Sequence, residues 1–155
     1  MNTVFIFGAQ YLYLFIIGLV AFYFLAQPRD RQKGVLFFSL ASMSFAYLIA
    51  VIARYFYFDP RPFVIDHIVP LVAHAPDNGF PSDHMLLSSV LASVLFYYNR
   101  KLGAVAWVLA LIVGASRVYV GIHHWADILG SVLIAILATY TAFLILKNPR
   151  VKILA

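Results

Sequence analysis

The ionisable side chains that could do chemistry concentrate in three short motifs, each next to a long apolar run. The first motif covers residues 54–62, the second residues 81–84 and the third residues 116–127. Charged groups are costly in hydrocarbon, so their collection at the ends of apolar runs indicates a functional site. The residue types in the three motifs favour chemistry on a phosphate group.

Three arginines are candidates for phosphate binding, namely Arg54, Arg61 and Arg117. A guanidinium group is planar, stays charged and donates paired hydrogen bonds to phosphate oxygens. Ser82 immediately precedes an apolar run, so it suits the N-cap of a helix whose free amides would face a bound anion. Taken singly, each arginine could be an interfacial anchor and the serine a simple cap.

Two histidines and an aspartate are candidates for the chemical steps. His123 and Asp127 are four residues apart, so on a helix they share a face, and the carboxylate can hold one imidazole nitrogen while the other points at the substrate. A histidine oriented in this way can act as a nucleophile. His84 would lie in the first turn of the helix that Ser82 caps. A purely structural His–Asp pair is the alternative.

The composition places these motifs in a membrane protein. The 155 residues are 64% hydrophobic and 11% charged, with a mean hydropathy of +0.92, which predicts one integral membrane domain over residues 1–155. The absence of cysteine excludes disulfides, thiolate chemistry and cysteine metal sites. The net charge of +5 arises from short basic clusters beside apolar runs, which is an orientation signal rather than a nucleic-acid site.

Five apolar runs predict an all-α, polytopic helical bundle with about five transmembrane helices. The runs cover residues 4–26, 35–58, 85–98, 102–120 and 128–146, and about 20 residues cross a hydrocarbon core of about 30 Å. The third run spans only if it begins near Ser82. The first has no basic residues before it and is expected to stay attached as an anchor. Residues 59–79 are expected to form an extracytoplasmic loop with a short interfacial helix in the apolar segment 68–75.

Basic residues then orient the bundle. With five helices, eight basic residues share one side, which positive loops identify as the cytoplasm: Arg29, Arg31, Lys33, Arg100, Lys101, Lys147, Arg150 and Lys152. The three candidate arginines and all five histidines fall on the other side. We therefore expect a site on the periplasmic or extracytoplasmic face of a bacterial cytoplasmic membrane.

The three motifs together resemble the type-2 phosphatidic acid phosphatase superfamily, whose motifs are basic-x6-Arg-Pro, Pro-Ser-x-His and Ser-Arg-x5-His-x3-Asp. Every spacing is satisfied between residues 54 and 127. Arg54 stands where lysine is usual and keeps the charge. Asp83 stands where glycine is usual and adds a carboxylate that would weaken binding of simple phosphate monoesters. The sequences Arg-Pro-Phe and Phe-Pro-Ser-Asp-His are most similar to the undecaprenyl-diphosphate phosphatase subgroup.

This resemblance implies a membrane lipid phosphatase with a two-step mechanism. His123 would attack the terminal phosphorus, Asp127 would orient His123, and His84 would protonate the leaving oxygen and later activate water. The resemblance assigns phosphate binding to the motif residues Arg54, Arg61, Ser82, Asp83 and Arg117. It implies no metal and no other cofactor, since the arginines supply the positive charge.

The expected substrate is undecaprenyl diphosphate, with lipid A 1-phosphate and phosphatidylglycerol phosphate as alternatives, because the motifs recognise phosphate and not the lipid tail. The expected partners are that substrate and membrane lipids, with no nucleic acid. A proton or anion carrier is the alternative from another class, but it predicts ionisable residues at mid-helix. A purely structural subunit would leave the three matched spacings unexplained.

The remaining polar residues of the loop are expected to be solvated or to contact the lipid headgroup. They are Asp59, Asp66, His67, His74 and Asp77. His124 is expected to be a neighbour of the site rather than a participant. Residues 63–80 are the candidate lid or lipid entrance.

Overall fold

The computed structural model describes residues 1–147, which form a bundle of α-helices without a strand in that range. The helices are α1 (Asn2–Gln10), α2 (Leu12–Leu25), α3 (Arg29–Phe56), α4 (Pro62–Ile65), α5 (Asp83–Tyr98), α6 (Arg100–Tyr119) and α7 (Trp125–Leu146). The all-α class predicted from the sequence is confirmed. Two of the basic residues used for orientation, Arg150 and Lys152, lie outside the described residues.

The helix lengths are those of a multi-pass membrane protein. Helices α3, α6 and α7 are each long and apolar enough to cross a membrane, and α1 with α2 forms a fourth candidate span that is bent by 46°. Helix α5 begins at Asp83, directly after Ser82. This helix thus has the start that the third apolar run needs in order to span. Its 16 residues extend about 24 Å at about 1.5 Å per residue, so it is the shortest of the five segments that we predicted to span.

Helix α5 lies inside the bundle, where it packs against α2, α3, α6 and α7. Small residues make the close contacts between the helices around it, as is usual where lipid supplies no hydrophobic drive. Helices α3 and α7, for example, bury Ala46, Ala50, Ala135 and Ala138 against each other and α5. Large side chains such as Leu133 and Leu137 point outward, toward the hydrocarbon that would surround the bundle.

Charge is segregated between the two ends of the bundle. The N-termini of α3 and α6 and the C-terminus of α7 carry the basic clusters, of which Lys147 is the last described member. The C-termini of α3 and α6 and the N-termini of α5 and α7 carry the three motifs. The alternating direction of the helices therefore gathers the motifs at one end.

The loop between α3 and α5 covers that end and contains one short helix, as predicted, but not at the predicted place. The helix is α4, which begins with Pro62 at its first position, and the apolar segment 68–75 is not helical. Pro70 interrupts this segment, and Leu71 N donates instead to Val120 O at 3.0 Å. The apolar segment is thus attached to the end of α6 rather than lying as an amphipathic helix on the membrane.

Asn78 closes the base of this loop, a role that no motif indicated. Its Oδ1 accepts hydrogen bonds from the backbone N–H groups of Asp59 and Phe80, at 2.9 and 3.0 Å. Its Nδ2 donates to Tyr57 O at 3.0 Å. One side chain therefore joins the exit of α3 to the entrance of the second motif.

Candidate active site

His123 lies at the centre of the gathered motifs, in the turn between α6 and α7, and is 2% exposed. Its Nδ1 is 3.0 Å from Asp127 Oδ2. Its Nε2 is 3.3 Å from Arg61 Nη1 and 3.2 Å from Arg117 Nη2. A guanidinium group can only donate, so Nε2 accepts and Nδ1 carries the proton. The lone pair of the imidazole is thereby presented where two arginines converge.

The surroundings of His123 keep its ring neutral. Burial, followed by the positive charges of Arg117 and Arg61, lowers the pKa of His123 far below its usual range. A neutral ring retains the Nε2 lone pair at physiological pH. His123 is therefore poised as a nucleophile toward an electrophile bound by the arginines.

Asp127 pairs with His123 as predicted, but not through a shared helical face. His123 precedes α7, which begins at Trp125, so the pair is formed by the turn that enters the helix. Asp127 Oδ2 also accepts from the backbone N–H of His124 at 2.9 Å, and this bond caps α7. The turn is possible because Gly121 adopts a φ of 81° after the end of α6.

Arg61 and Arg117 are buried and held by several contacts each. Arg61 donates from Nη1 to Ile122 O at 2.8 Å and from Nε to Asp77 Oδ1 at 2.6 Å. Arg117 donates from Nη1 to Ala9 O at 3.1 Å. Within residues 1–147, no carboxylate lies within ion-pair distance of Arg117. A bound anion would therefore compensate its buried charge.

Arg54 is placed differently from the other two arginines. Its Nη2 donates to Pro81 O at 3.3 Å and forms an ion pair with Asp83, at the N-terminus of α5 rather than at His123. Asp83 is the position where glycine was expected, and its side chain is 75% exposed. The extra carboxylate therefore neutralises Arg54 in part. Weaker binding of phosphate monoesters stays a prediction.

Ser82 is fully buried at the N-cap of α5, but it does not make the capping hydrogen bond. Its Oγ has no partner among the described residues, so the hydroxyl is available to a bound anion. The position of the serine is fixed through its backbone, because Ser131 Oγ of α7 lies 3.0 Å from Ser82 O. Helix α7 thus holds both the second motif and Asp127.

His84 occupies the first turn of α5, on the edge of a cleft of about 270 Å³ that Arg117 also lines. Tyr13 of α2 packs edge-on against His84, with 4.7 Å between the ring centroids. The second motif, through His84, and the third, through Arg117, therefore line one cleft. Arg117 also joins this cleft to His123, which its Nη2 contacts at 3.2 Å.

Comparison with known proteins supplies the family. The sequence model of the PAP2 superfamily matches residues 32–150, a range that contains all three motifs. The chain belongs to the PAP2 superfamily, a family of membrane lipid phosphatases. It is 31% identical over 147 residues to the undecaprenyl-diphosphatase BcrC of Bacillus subtilis, covering 92% of this chain and 74% of that protein.

Solved structures of PAP2 phosphatases share the fold. LpxE of Aquifex aeolicus superposes with a TM-score of 0.67 at 22% identity, covering 92% of this chain and 82% of that one. A phosphatidylglycerolphosphate phosphatase of Bacillus subtilis superposes with a TM-score of 0.67 at 24% identity, covering 96% of this chain and 77% of that one. At these identities the likeness shows the fold alone.

Two further residues lie beside the motif residues, although the motifs did not indicate them. Asp59 and His124 lie beside Asp127, with their ligand atoms all within 4.8 Å of one another, and His124 Nδ1 is 3.4 Å from Asp59 Oδ2. Two carboxylates and an imidazole could hold a metal ion, whereas the family resemblance implies none. Burial and the neighbouring Asp127 raise the pKa of Asp59. Metal independence stays a prediction.

Proposed function

We propose that this protein removes the terminal phosphate of undecaprenyl diphosphate on the extracytoplasmic face of the bacterial cytoplasmic membrane. The reaction would return undecaprenyl phosphate to the carrier-lipid pool that serves cell-wall synthesis. The observation that carries the proposal is the buried His123, whose Nε2 lies between the guanidinium groups of Arg61 and Arg117 and therefore accepts rather than donates.

In the first step, His123 Nε2 attacks the terminal phosphorus and a phosphohistidine forms. The bond between that phosphorus and the bridging oxygen breaks, and His84 donates a proton to the oxygen as the lipid phosphate leaves. The Nδ1–H bond to Asp127 stabilises the positive charge that develops on the ring. Arg61 and Arg117 donate to the non-bridging oxygens, where charge accumulates during phosphoryl transfer.

In the second step, His84 takes a proton from water, which attacks the phosphohistidine. The Nε2–phosphorus bond breaks, inorganic phosphate leaves, and the lone pair returns to Nε2. No step needs a metal, because the two buried guanidinium groups and the Ser82 hydroxyl supply the donors around the phosphoryl group.

The choice of a polyprenyl substrate is supported by the relative named as an undecaprenyl-diphosphatase and by a lipid-facing groove. This groove of about 380 Å³ lies between α3 and α5 and ends at Asp83. Its walls are apolar for most of their length, with Leu40, Met43, Leu86 and Leu87 among them. A long isoprenoid tail could lie there with its headgroup at the second motif.

Phosphatidylglycerol phosphate is the second candidate substrate. A phosphatidylglycerophosphatase B of Bacillus subtilis is 33% identical over 72 residues. Lipid A 1-phosphate remains the third candidate.

Phosphate release from these three lipids by the purified protein, with excess chelator present, tests the proposal. We expect the highest kcat/KM with undecaprenyl diphosphate and no effect of the chelator. A higher kcat/KM for either other lipid would reassign the substrate. Loss of activity on chelation, with recovery on adding magnesium or zinc, would assign Asp59, His124 and Asp127 to a metal instead.

A further inference from the structure

The cleft beside His123 is larger than one phosphoryl group needs, and its far wall comes from outside the PAP2 motifs. Besides His84 and Arg117, Gln10, Tyr11 and His74 line it. No carboxylate is among its lining residues, and Arg117 supplies the permanent positive charge. Burial lowers the pKa of His74, so its ring becomes a cation only beside a bound anion. The cleft thus has the character of an anion site on the side of His84, where the leaving group must depart.

Arg117, which lines this cleft and also contacts His123, indicates that an anion binds where the two meet. The side chain is 4% exposed, its Nη2 faces His123 and its Nη1 holds Ala9 O. Its Nε is buried and has no hydrogen-bond partner among the described residues. Burying a guanidinium that has a free donor and no carboxylate partner costs folding free energy. A ligand that accepts this hydrogen bond and carries negative charge would offset that cost.

His74 is held over the cleft by a chain of contacts that starts at the catalytic site. Arg61 binds Asp77, and Asp77 Oδ1 lies 3.9 Å from His74 Nδ1. The His74 ring is 6.3 Å from the His123 ring, centroid to centroid. Because His74 Nδ1 faces Ala75 O at 3.3 Å, its Nε2 is the nitrogen left for a ligand, to which it can donate once protonated.

Gln10 reaches the cleft because the first transmembrane segment is broken there. Helix α1 ends at Gln10 and bends by 46° into α2. The Ala9 carbonyl, left free by the helix end, accepts the Arg117 hydrogen bond. Close packing fixes α1 on α6, since a Cβ at Gly8 would lie 2.3 Å from Ser116 Oγ. Residues 1–31, which include Gln10, precede the region that matches the PAP2 family model.

We infer that this cleft is a second phosphate site, in which Gln10 and His74 bind the inner phosphate of a lipid diphosphate whose terminal phosphate lies at His123. The inference rests on the proposed function and extends it to substrate selection. In a diphosphate the leaving group is itself an anion, and the cleft offers donors next to the departing oxygen. A lipid monoester places an uncharged carbon group there and gains nothing from these two side chains.

Farnesyl diphosphate and farnesyl phosphate test this inference, because they share a tail and differ by one phosphate. We expect His74→Ala and Gln10→Ala each to lower kcat/KM for the diphosphate about tenfold, as for one hydrogen bond to a charged group. The kcat/KM for the monophosphate should change less than twofold. His67→Ala is the matched control, since His67 is an exposed histidine of the same loop, and it should leave both values unchanged.

Equal losses with both substrates would overturn the inference, since they would indicate a general structural role. Unchanged kcat/KM for the diphosphate in both variants, each shown to be folded by its melting temperature, would also overturn it. The proposed function is tested separately, by measuring phosphate release by the wild-type protein. If the wild type hydrolyses both farnesyl substrates and the variants lose both equally, the inference fails while the phosphatase proposal stands. A wild type that releases no phosphate from the diphosphate contradicts both.

Discussion

The two ring nitrogens of His123 have opposite roles, which their partners assign. The Asp127 carboxylate holds the protonated Nδ1, and two guanidinium groups surround the unprotonated Nε2. In the proposed mechanism, the arginines that lower the proton affinity of the ring would also neutralise the phosphate that the ring attacks. Nucleophile and anion site are therefore one structure, and a change to either affects both.

Asp127→Asn tests the orienting role of the carboxylate. The amide oxygen can still accept from Nδ1, but it carries no charge to stabilise the ring during attack. We expect kcat to fall by about 10² to 10⁴, as for a positioned acid–base element, with a smaller change in KM. Steady-state phosphate release measures this, and Asp66→Asn in the exposed loop is the control. Full activity in Asp127→Asn would disprove the orienting role.

Asp83→Asn tests whether Asp83 restrains Arg54. Removing the carboxylate would free the guanidinium for a substrate phosphate, so we expect a lower KM for phosphate monoesters. The Asp83 side chain is 75% exposed, and exposed ion pairs contribute about 0–1 kcal/mol, so the decrease should be about fivefold or less. Asp30→Asn, which breaks an exposed pair with Lys33 at the other end of the bundle, should leave KM unchanged. A raised KM in Asp83→Asn would show that Asp83 positions Arg54 instead.

At the scale of the helices, the apolar runs predicted the spans because membrane helices need long uncharged segments. Helix α5 begins directly after Ser82, as predicted, but its 16 residues are fewer than those of α3, α6 and α7, which are long enough to cross a membrane. The break between α1 and α2 at Tyr11 was not predicted, because no proline marks it in the sequence. The break is stabilised by the hydrogen bond from the distant Arg117 and by the packing of α1 on α6. The contact of Asp59 with Asp127 was also not predicted, because 68 residues separate them and no local pattern relates them. Local patterns predict elements, whereas contacts between elements depend on the completed fold.

The close approach of α5 and α6 at Gly103 offers a test at this scale. A Cβ at Gly103 of α6 would lie 2.1 Å from the Phe96 backbone of α5, which no side-chain rotation can relieve. We expect Gly103→Ala to separate α5 from α6 and to lower the melting temperature by several degrees. In Gly18→Ala of α2, the new Cβ meets nothing within 4 Å, so the melting temperature should be unchanged or higher. Equal melting temperatures for both variants would contradict this account of the α5–α6 contact.

At the scale of the whole molecule, the segregation of charge relates the site to the membrane. The described basic residues outside the motifs lie at the end of the bundle opposite to His123. Positive loops are retained in the cytoplasm, so we expect the catalytic end to face outward. This orientation suits a phosphatase whose product is used again by lipid-linked synthesis.

Single cysteines test the orientation, because the chain has none of its own. Val69, 91% exposed in the catalytic-end loop, and the exposed Lys101 at the other end are suitable positions. Asn78 and Asn99 are unsuitable for cysteine substitution, because their side chains make structural hydrogen bonds. Asn78 closes the loop and Asn99 caps α6. An impermeant thiol reagent on intact cells should label Val69→Cys and spare Lys101→Cys. The reverse pattern would invert the topology, and labelling of both would mean that α5 does not span.

The central claim is that phosphate passes through His123. The most direct measurement is to trap the labelled enzyme during turnover. The substrate is a lipid diphosphate with ³²P in its terminal phosphate, and the reaction is quenched with base and kept free of acid. We expect base-stable, acid-labile label on the peptide that contains His123 in the wild type, and none in His123→Ala. Label that persists in a folded His123→Ala protein, or that maps to another residue in the wild type, would contradict the account.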